Sequence, residues 1–180
     1  MPQRLPLVLS DLDLPLAELA AARLDGELYR VGSSFAPVDE IESPHHRARA
    51  LRVGRGSRHI AEQLTAAWVW GARSAIPARL EFCVAIGARV THSSVGWFTI
   101  REVVIGDSDI VDLDGMPVTS PLRTAIDIAR WSESFDLDEV RVIRALMRVG
   151  GFGRSDCLEQ LETRKSLPNK KRAIERLSRC

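Results

Sequence analysis

An α+β fold is what the sequence predicts, on three observations. Residues 80–113 are dense in apolar, β-branched and aromatic side chains and read as sheet. The segments on either side carry apolar residues at helical spacing, each opened by a capping residue. The order along the chain, a small helix–hairpin unit, then a mixed sheet with helices, then a helical tail, points the same way.

From the beginning, residues 14–24 (Leu-Pro-Leu-Ala-Glu-Leu-Ala-Ala-Ala-Arg-Leu) predict a helix, with Leu16, Leu19, Ala20, Arg23 and Leu24 near one stripe. Asp13 is the expected N-cap, Pro15 sits just inside the start, and Gly26 supplies the left-handed stop. Glu27–Val31 then alternates with period two, turns at Gly32-Ser33-Ser34 and returns through Phe35–Val38, where Pro37 marks an edge. Helix followed by hairpin is the back half of a winged helix-turn-helix. The front half has too little chain ahead of it, so residues 1–42 read as a truncated, winged-helix-like unit.

Residues 43–150 read as a mixed sheet with packed helices. Ser43 caps a helix with Pro44 in its first turn, running to Arg52 and stopped by Gly54 and Gly56. Thr65 is expected to cap a short apolar helix, 66–70, closed by Gly71. Its Trp68 and Trp70 are two apart and cannot share a helix face, so at least one belongs in the core. Leu80–Ile86 reads as a buried strand, followed by strands at 89–92, 97–105 and 110–113. Asp114-Gly115 is a tight-turn signal leading into Met116-Pro117-Val118. Thr119 or Ser120 caps the next helix, with Pro121 inside it and Leu122, Ala125, Ile126 and Ala129 on its apolar stripe. Asp136 or Asp138 opens another, with Val140, Ile143, Leu146 and Met147 at 3.6-residue spacing. Residues 151–180 complete the chain as a basic helical segment: one helix opened by Ser155 and Glu159, a break at Leu167-Pro168-Asn169, and a last helix over 170–179 anchored by Ile174 and Leu177.

Composition narrows the function. The chain has 180 residues, 45% hydrophobic and 27% charged, as expected of a folded domain. No apolar run approaches the ~18 residues of a membrane span, and the first ten residues lack a secretory signal, so the expected compartment is the cytoplasm. Cys83, Cys157 and Cys180 are odd in number and scattered, which argues against a disulfide framework or a zinc site. The net charge of +1 hides an asymmetry. Residues 141–180 hold 11 lysines and arginines against 4 acids, and the remainder holds 14 against 20. A basic surface for an acidic partner follows, nucleic acid being the commonest such partner.

Enzymatic signatures are missing. There is no Gly-x-Ser-x-Gly elbow, no phosphate-cradling Gly-x-x-x-x-Gly-Lys loop and no dinucleotide fingerprint; Gly54-Arg55-Gly56 reads as a loop. His45 and His46 are adjacent and diverge on a helix, and His59 and His92 stand alone, so no metal site and no cofactor are expected. Asp107, Asp109, Asp112 and Asp114 loosely follow a calcium-loop spacing but alternate with Ile110, Val111 and Leu113 and lack a closing glutamate. Asp112 and Asp114 lack the companions of a metal-dependent nucleotidyltransferase or nuclease. They make a nucleic-acid-processing enzyme the weakest of three readings.

One stretch is distinctive: Gly115-Met116-Pro117-Val118-Thr119-Ser120-Pro121-Leu122-Arg123-Thr124-Ala125-Ile126-Asp127-Ile128-Ala129-Arg130. It resembles the Val-Thr-Ser-Pro-x-Arg-Thr-x-x-Asp-Leu-Ala element of AbiEi-family antitoxins. The blocks at 17–31 and 66–72 are similar to that family's N-terminal helix and wing and to its Ala-Ala-x-x-x-Gly helix. The resemblance implies a regulator without catalytic activity that binds operator DNA near its own promoter and counteracts a nucleotidyltransferase-like toxin. Some relatives continue into a nuclease-like domain, which this sequence is not expected to contain. One departure lies in the first helix, where Glu18 and Asp25 stand against Arg23 alone, a poor charge set for the major groove.

Within the motif, Thr119, Ser120, Pro121, Arg123, Thr124 and Asp127 read as a well-started helix, with Arg123 and Asp127 clamping helix to sheet. The candidate contacts to DNA are Arg164, Lys165, Lys170, Lys171, Arg172, Arg176 and Arg179, followed by Arg47, Arg49, Arg52, Arg55 and Arg58. The alternative is an interaction module whose basic helices grip an acidic protein and leave DNA alone.

Overall fold

The computed structural model describes residues 6–52, 59–87, 96–164 and 167–180. Helix α1 (Leu16–Leu24) leads into a hairpin of β1 (Leu28–Val31) and β2 (Ser34–Pro37), then α2 (Pro44–Arg52). Gly26 and Gly32 both adopt positive φ, as the stop and the turn require. An isolated bridge from Leu9 to Phe35 lays the chain ahead of α1 beside β2. Asp13 does not cap α1. Its carboxylate accepts from the Ser10 main-chain N–H and hydroxyl, and Pro15 occupies the N-cap position. The expected buried stripe also shrinks: Leu19 alone is buried on α1, while Leu16 and Leu24 are 63% and 81% exposed.

A five-stranded sheet forms the centre, in the order β5 (Phe98–Val103), β4 (Leu80–Ala85), β3 (Ile60–Ala61), β7 (Met116–Thr119), β6 (Ile110–Leu113). Its middle strand has two residues and escaped the sequence reading, since nothing periodic is carried by so short a segment. β3 runs antiparallel to β4 and parallel to β7, β4 runs parallel to β5, and β6 and β7 form the hairpin turned by Asp114 and Gly115. Ile86 lies past the end of β4 and is 63% exposed, and Trp97, Val104 and Ile105 lie outside β5. The strand expected at 89–92, the glycines at 54 and 56, Arg55, Arg58, His92 and Lys165 lie outside the described residues.

Helix α3 (Gln63–Val69) begins earlier than expected, with Glu62 at the N-cap position. Thr65 therefore lies inside it, and its hydroxyl accepts the Glu81 main-chain N–H. The helix is wedged between two apolar clusters, which is why both tryptophans are covered. Trp68 packs with α2 and the sheet, while partly buried Trp70 touches both clusters and donates its Nε1–H to the Thr119 carbonyl at 2.8 Å.

The second cluster is helical: α4 (Pro121–Trp131), α5 (Leu137–Gly150), α6 (Arg154–Thr163) and α7 (Lys170–Leu177). Ser120 caps α4 by accepting the Arg123 N–H, and Asp136 and Glu139 form a capping box on α5. Asp156 accepts the Gly153 N–H at the start of α6, the role expected of Ser155 and Glu159. Ala173 and Leu177 are the anchors of α7, whereas Ile174 is 39% exposed. The packing of α4 against the sheet brings the polar residues of both together.

Candidate functional site

Five consecutive partnerships connect the sheet to the helices. Arg101 on β5 donates through Nε and Nη2 to both oxygens of Glu62, at 2.6 Å each. Its Nη2 also lies 3.5 Å from Asp127 on α4. Asp127 accepts from Arg123 Nε one turn earlier and from Arg130 Nη1, both at 2.8 Å. Arg123 Nη1 continues to Asp109 at 2.7 Å, and Asp109 accepts from Arg164 at 2.8 Å. The side chains of Glu62, Asp127, Asp109, Arg123 and Arg130 are each 5% exposed or less, with Arg101 and Arg164 at 26% and 29%.

The sequence places these groups by simple means. Glu62 precedes α3 in extended conformation, so its side chain is free to turn away from the helix end. Gln63 after it is held at φ 47, a region that non-glycine residues seldom occupy. Arg101 sits opposite Cys83 in the β5–β4 register, on the strand face shared with Ile60 and Val103 rather than with Phe82. Arg123, Asp127 and Arg130 follow at helical spacing on α4, and a single 3-10 turn, Asp107–Asp109, presents the last carboxylate.

Electrostatics follow the partners. Burial raises the Glu62 carboxyl, and the bond and charge of Arg101 only partly offset it. Burial also works to raise Asp109, but the Arg164 bond and the Arg123 charge overcome it and leave this carboxyl below its ordinary range. Arg123 is held more firmly protonated because its two carboxylates outweigh burial, while burial lowers Arg130. Burial pushes the Cys83 thiol far up, with Glu62 adding to the effect, so it is no nucleophile.

The motif residues come together at the start of α4: Ser120 caps, Pro121 starts the helix, and the Thr119 and Thr124 hydroxyls meet at 2.7 Å. The network also takes in Glu62, Arg101, Asp109 and Arg130, which lie far from Arg123 and Asp127 in sequence except for Arg130. Only the i, i+3 spacing of Asp127 and Arg130 offered a signal.

The basic candidates separate into two classes. Arg47 and Arg49 are neutralised by Glu42 and Asp114, Arg164 by Asp109, and Arg52 is held by the Asp114 carbonyl. Arg172, Arg176 and Arg179 instead donate to main-chain carbonyls of residues 129, 132, 133 and 135, around the C-terminal end of α4. Such bonds fix the guanidinium and favour it electrostatically without cancelling its charge. Lys170 reaches the Arg164 carbonyl at 3.5 Å. Among the described residues, exposed Lys171 has no carboxylate partner, and neither has Arg148 on α5. Arg141, Arg144 and Arg148 form one stripe at i, i+3, i+7; Arg141 is answered by Asp138 at 2.9 Å, while Arg144 bonds the main-chain oxygens of Arg179 and Cys180. That contact joins the α5 stripe to α7 as one basic face.

Asp112 and Asp114 do not converge on a common centre. Asp112 accepts the Gly115 N–H within its own turn, and Asp114 meets Arg49 and His45. His46 pairs with the Ser43 hydroxyl. Among the described residues no group of three or more His, Cys, Asp or Glu side chains is placed to hold a metal, and no helix is long and apolar enough to cross a membrane.

Comparison with known proteins gives two findings. The family described as AbiEi antitoxin C-terminal domain matches residues 60–166. Three chains of solved structures match; one is the RV2827C protein from Mycobacterium tuberculosis, 18% identical, with a TM-score of 0.51 over 97% of this chain and 72% of that one. At that identity the likeness concerns the fold. No curated protein matches the sequence.

Proposed function

We propose, from the premise that the chain belongs to the family of AbiEi antitoxin C-terminal domains, that it is an antitoxin which acts by binding and makes or breaks no bonds. Membership gives an antitoxin-type role in a toxin–antitoxin system. The finer reading is regulation through duplex DNA, held by its phosphates on the basic face of α5 and α7, beside neutralisation of a nucleotidyltransferase-like toxin.

The observation that carries this reading is the fixing of Arg172, Arg176 and Arg179 by neutral carbonyls next to Arg144 and Arg148 on α5. Their positive charge remains available, whereas the α2 arginines and Arg164 are answered by carboxylates or turned onto the Asp114 loop. Phosphate contacts of this kind supply affinity and register more than sequence choice. With Glu18 and Asp25 exposed, α1 is poorly suited to phosphates.

A second reading rests on exposed apolar residues along the same helices. Leu137, Val149 and Ile174 are 67%, 51% and 39% exposed, a mixture suited to an acidic protein surface. A mobility-shift assay with the DNA upstream of the protein's own reading frame, run across a salt series, separates the two. Retarded duplex with a steep loss on added salt supports DNA binding. No retardation even at low salt removes it and leaves the protein partner.

A further inference from the structure

Beside the edge strand β5, the ionic network opens into a cavity of about 710 Å³. Its polar lining is dominated by Arg101, Arg123, Arg130 and Arg164; Trp131, Val103, Val104 and Leu167 contribute apolar surface. This space borders the α7 groove of Lys171 and Arg172 at Leu167 and Pro168 but is lined by other arginines and takes no part in the reading above. We propose that it is a binding site for a small organic phosphate, its phosphoryl group among the guanidiniums and its carbon skeleton on the apolar wall.

Donor accounting is the first argument. A guanidinium carries five N–H donors and no acceptor. Arg164 commits Nη2 to Asp109, Arg101 commits Nε and Nη2, and Arg130 commits Nε to the Pro168 carbonyl and Nη1 to Asp127. Among the described residues, Nε and Nη1 of Arg164, Nη1 of Arg101 and Nη2 of Arg130 have no protein acceptor. Trp131, whose ring lies 4.8 Å from Arg101 and 5.2 Å from Arg130, has its Nε1 buried without a partner as well. Arg101, Arg130 and Arg164 each already meet a carboxylate, so what the lining offers an oxyanion is unfilled N–H donors and not the unanswered charge of the α7 arginines.

The second argument is the layering of charge. Glu62 and Asp127 are 2% and 1% exposed and lie behind the arginines, while Arg101 and Arg164 are the accessible members. A ligand entering the cavity meets guanidinium before carboxylate. Asp109 at 5% exposure and Glu102 are the acids that line it. Three separate guanidiniums with unused edges suit the several oxygens of a phosphate monoester better than a carboxylate, which one Arg fork satisfies. The volume lies in the usual range of small-molecule sites.

Calorimetric titration of the full chain with AMP, inorganic phosphate and adenosine tests the proposal. Saturable 1:1 binding of AMP, competition by inorganic phosphate and no uptake of adenosine are expected. Glucose 6-phosphate, run as a further arm, distinguishes a nucleotide preference from a general phosphate-ester site. Arg164→Gln should weaken AMP at least tenfold. Val104→Glu, at a position 78% exposed and so tolerant of change, should do the same by placing a carboxylate on the wall. The Trp131 indole N–H resonance, identified by its loss in Trp131→Phe, should shift on AMP addition. The proposal is overturned by absent saturation, by binding that both variants leave unchanged, or by binding lost in Arg148→Ala, which would place the anion on the basic face.

Discussion

Arg123 and Asp127 face each other one turn apart on α4, Nε to Oδ2 at 2.8 Å, with 3% and 1% of their side chains exposed. A pair at this spacing on a solvated helix contributes only tenths of a kcal/mol. Here desolvation changes the arithmetic, because neither charge has water to return to. Arg123 also meets Asp109 and Asp127 also meets Arg101 and Arg130, so the motif acts as a clamp between α4, β5 and the 3-10 turn.

Removing one partner should therefore be severe. Asp127→Ala leaves Arg123 and Arg130 buried without their shared acceptor and is expected to lower stability by about 3–5 kcal/mol. Urea denaturation measures this. A loss below 1 kcal/mol would show that water or a side-chain shift already compensates, and that the clamp is dispensable.

Glu81 makes stability depend on pH near neutrality. Burial raises its carboxyl from 4.5 to about 7, although the Leu64 main-chain N–H donates to it. Between those values the folded chain holds a proton that the unfolded chain has released, so stability falls as pH rises across that window. The whole effect is on the order of 3 kcal/mol. Glu81→Gln retains an oxygen for the Leu64 N–H and never ionises. It should be the more stable protein at pH 8 and show a flatter profile in melts taken between pH 4.5 and 8; parallel profiles would rule out Glu81 as the titrating group.

Salt dependence of DNA binding should track the basic face. Changing Arg148, Lys171 and Arg172 together to Ala is expected to reduce the log–log salt slope by about three. The same change at Arg47 and Arg49, whose charges Glu42 and Asp114 already answer, should leave it nearly untouched. Equal effects from both sets would dissolve the distinction between carbonyl-held and carboxylate-held arginines.

Gly150 ends α5 under close cover. A Cβ there would lie 2.6 Å from the Phe152 ring and 2.9 Å from the Pro121 Cβ. In an open helix Gly→Ala gains about 1 kcal/mol. Here overpacking on two sides should outweigh that gain, for a net loss of about 1–2 kcal/mol. Thermal unfolding of Gly150→Ala reads the sign directly, and a raised Tm would mean that Phe152 moves aside freely.

Much of the local architecture was legible in advance. The stop at Gly26, the Asp114-Gly115 turn, the Ser120-Pro121 start of α4 and the Asp136 start of α5 all appear where the residues announce them. The misplacements were local as well. Asp13 and Thr65 have capping chemistry but accept from other donors, and β3 is too short to carry a period.

By itself the sequence determined the secondary elements, the motif that marks the family and the bias of positive charge toward residues 141–180. Tertiary structure alone decided what each charge does. Caps and turns act through backbone preferences within about four residues, so a single chain read in order reveals them. Whether an arginine meets a carboxylate, a carbonyl or an open cavity depends on neighbours 39 residues away for Arg101 and 55 for Arg164. The energy of each meeting is then set by how much water the packed layers exclude.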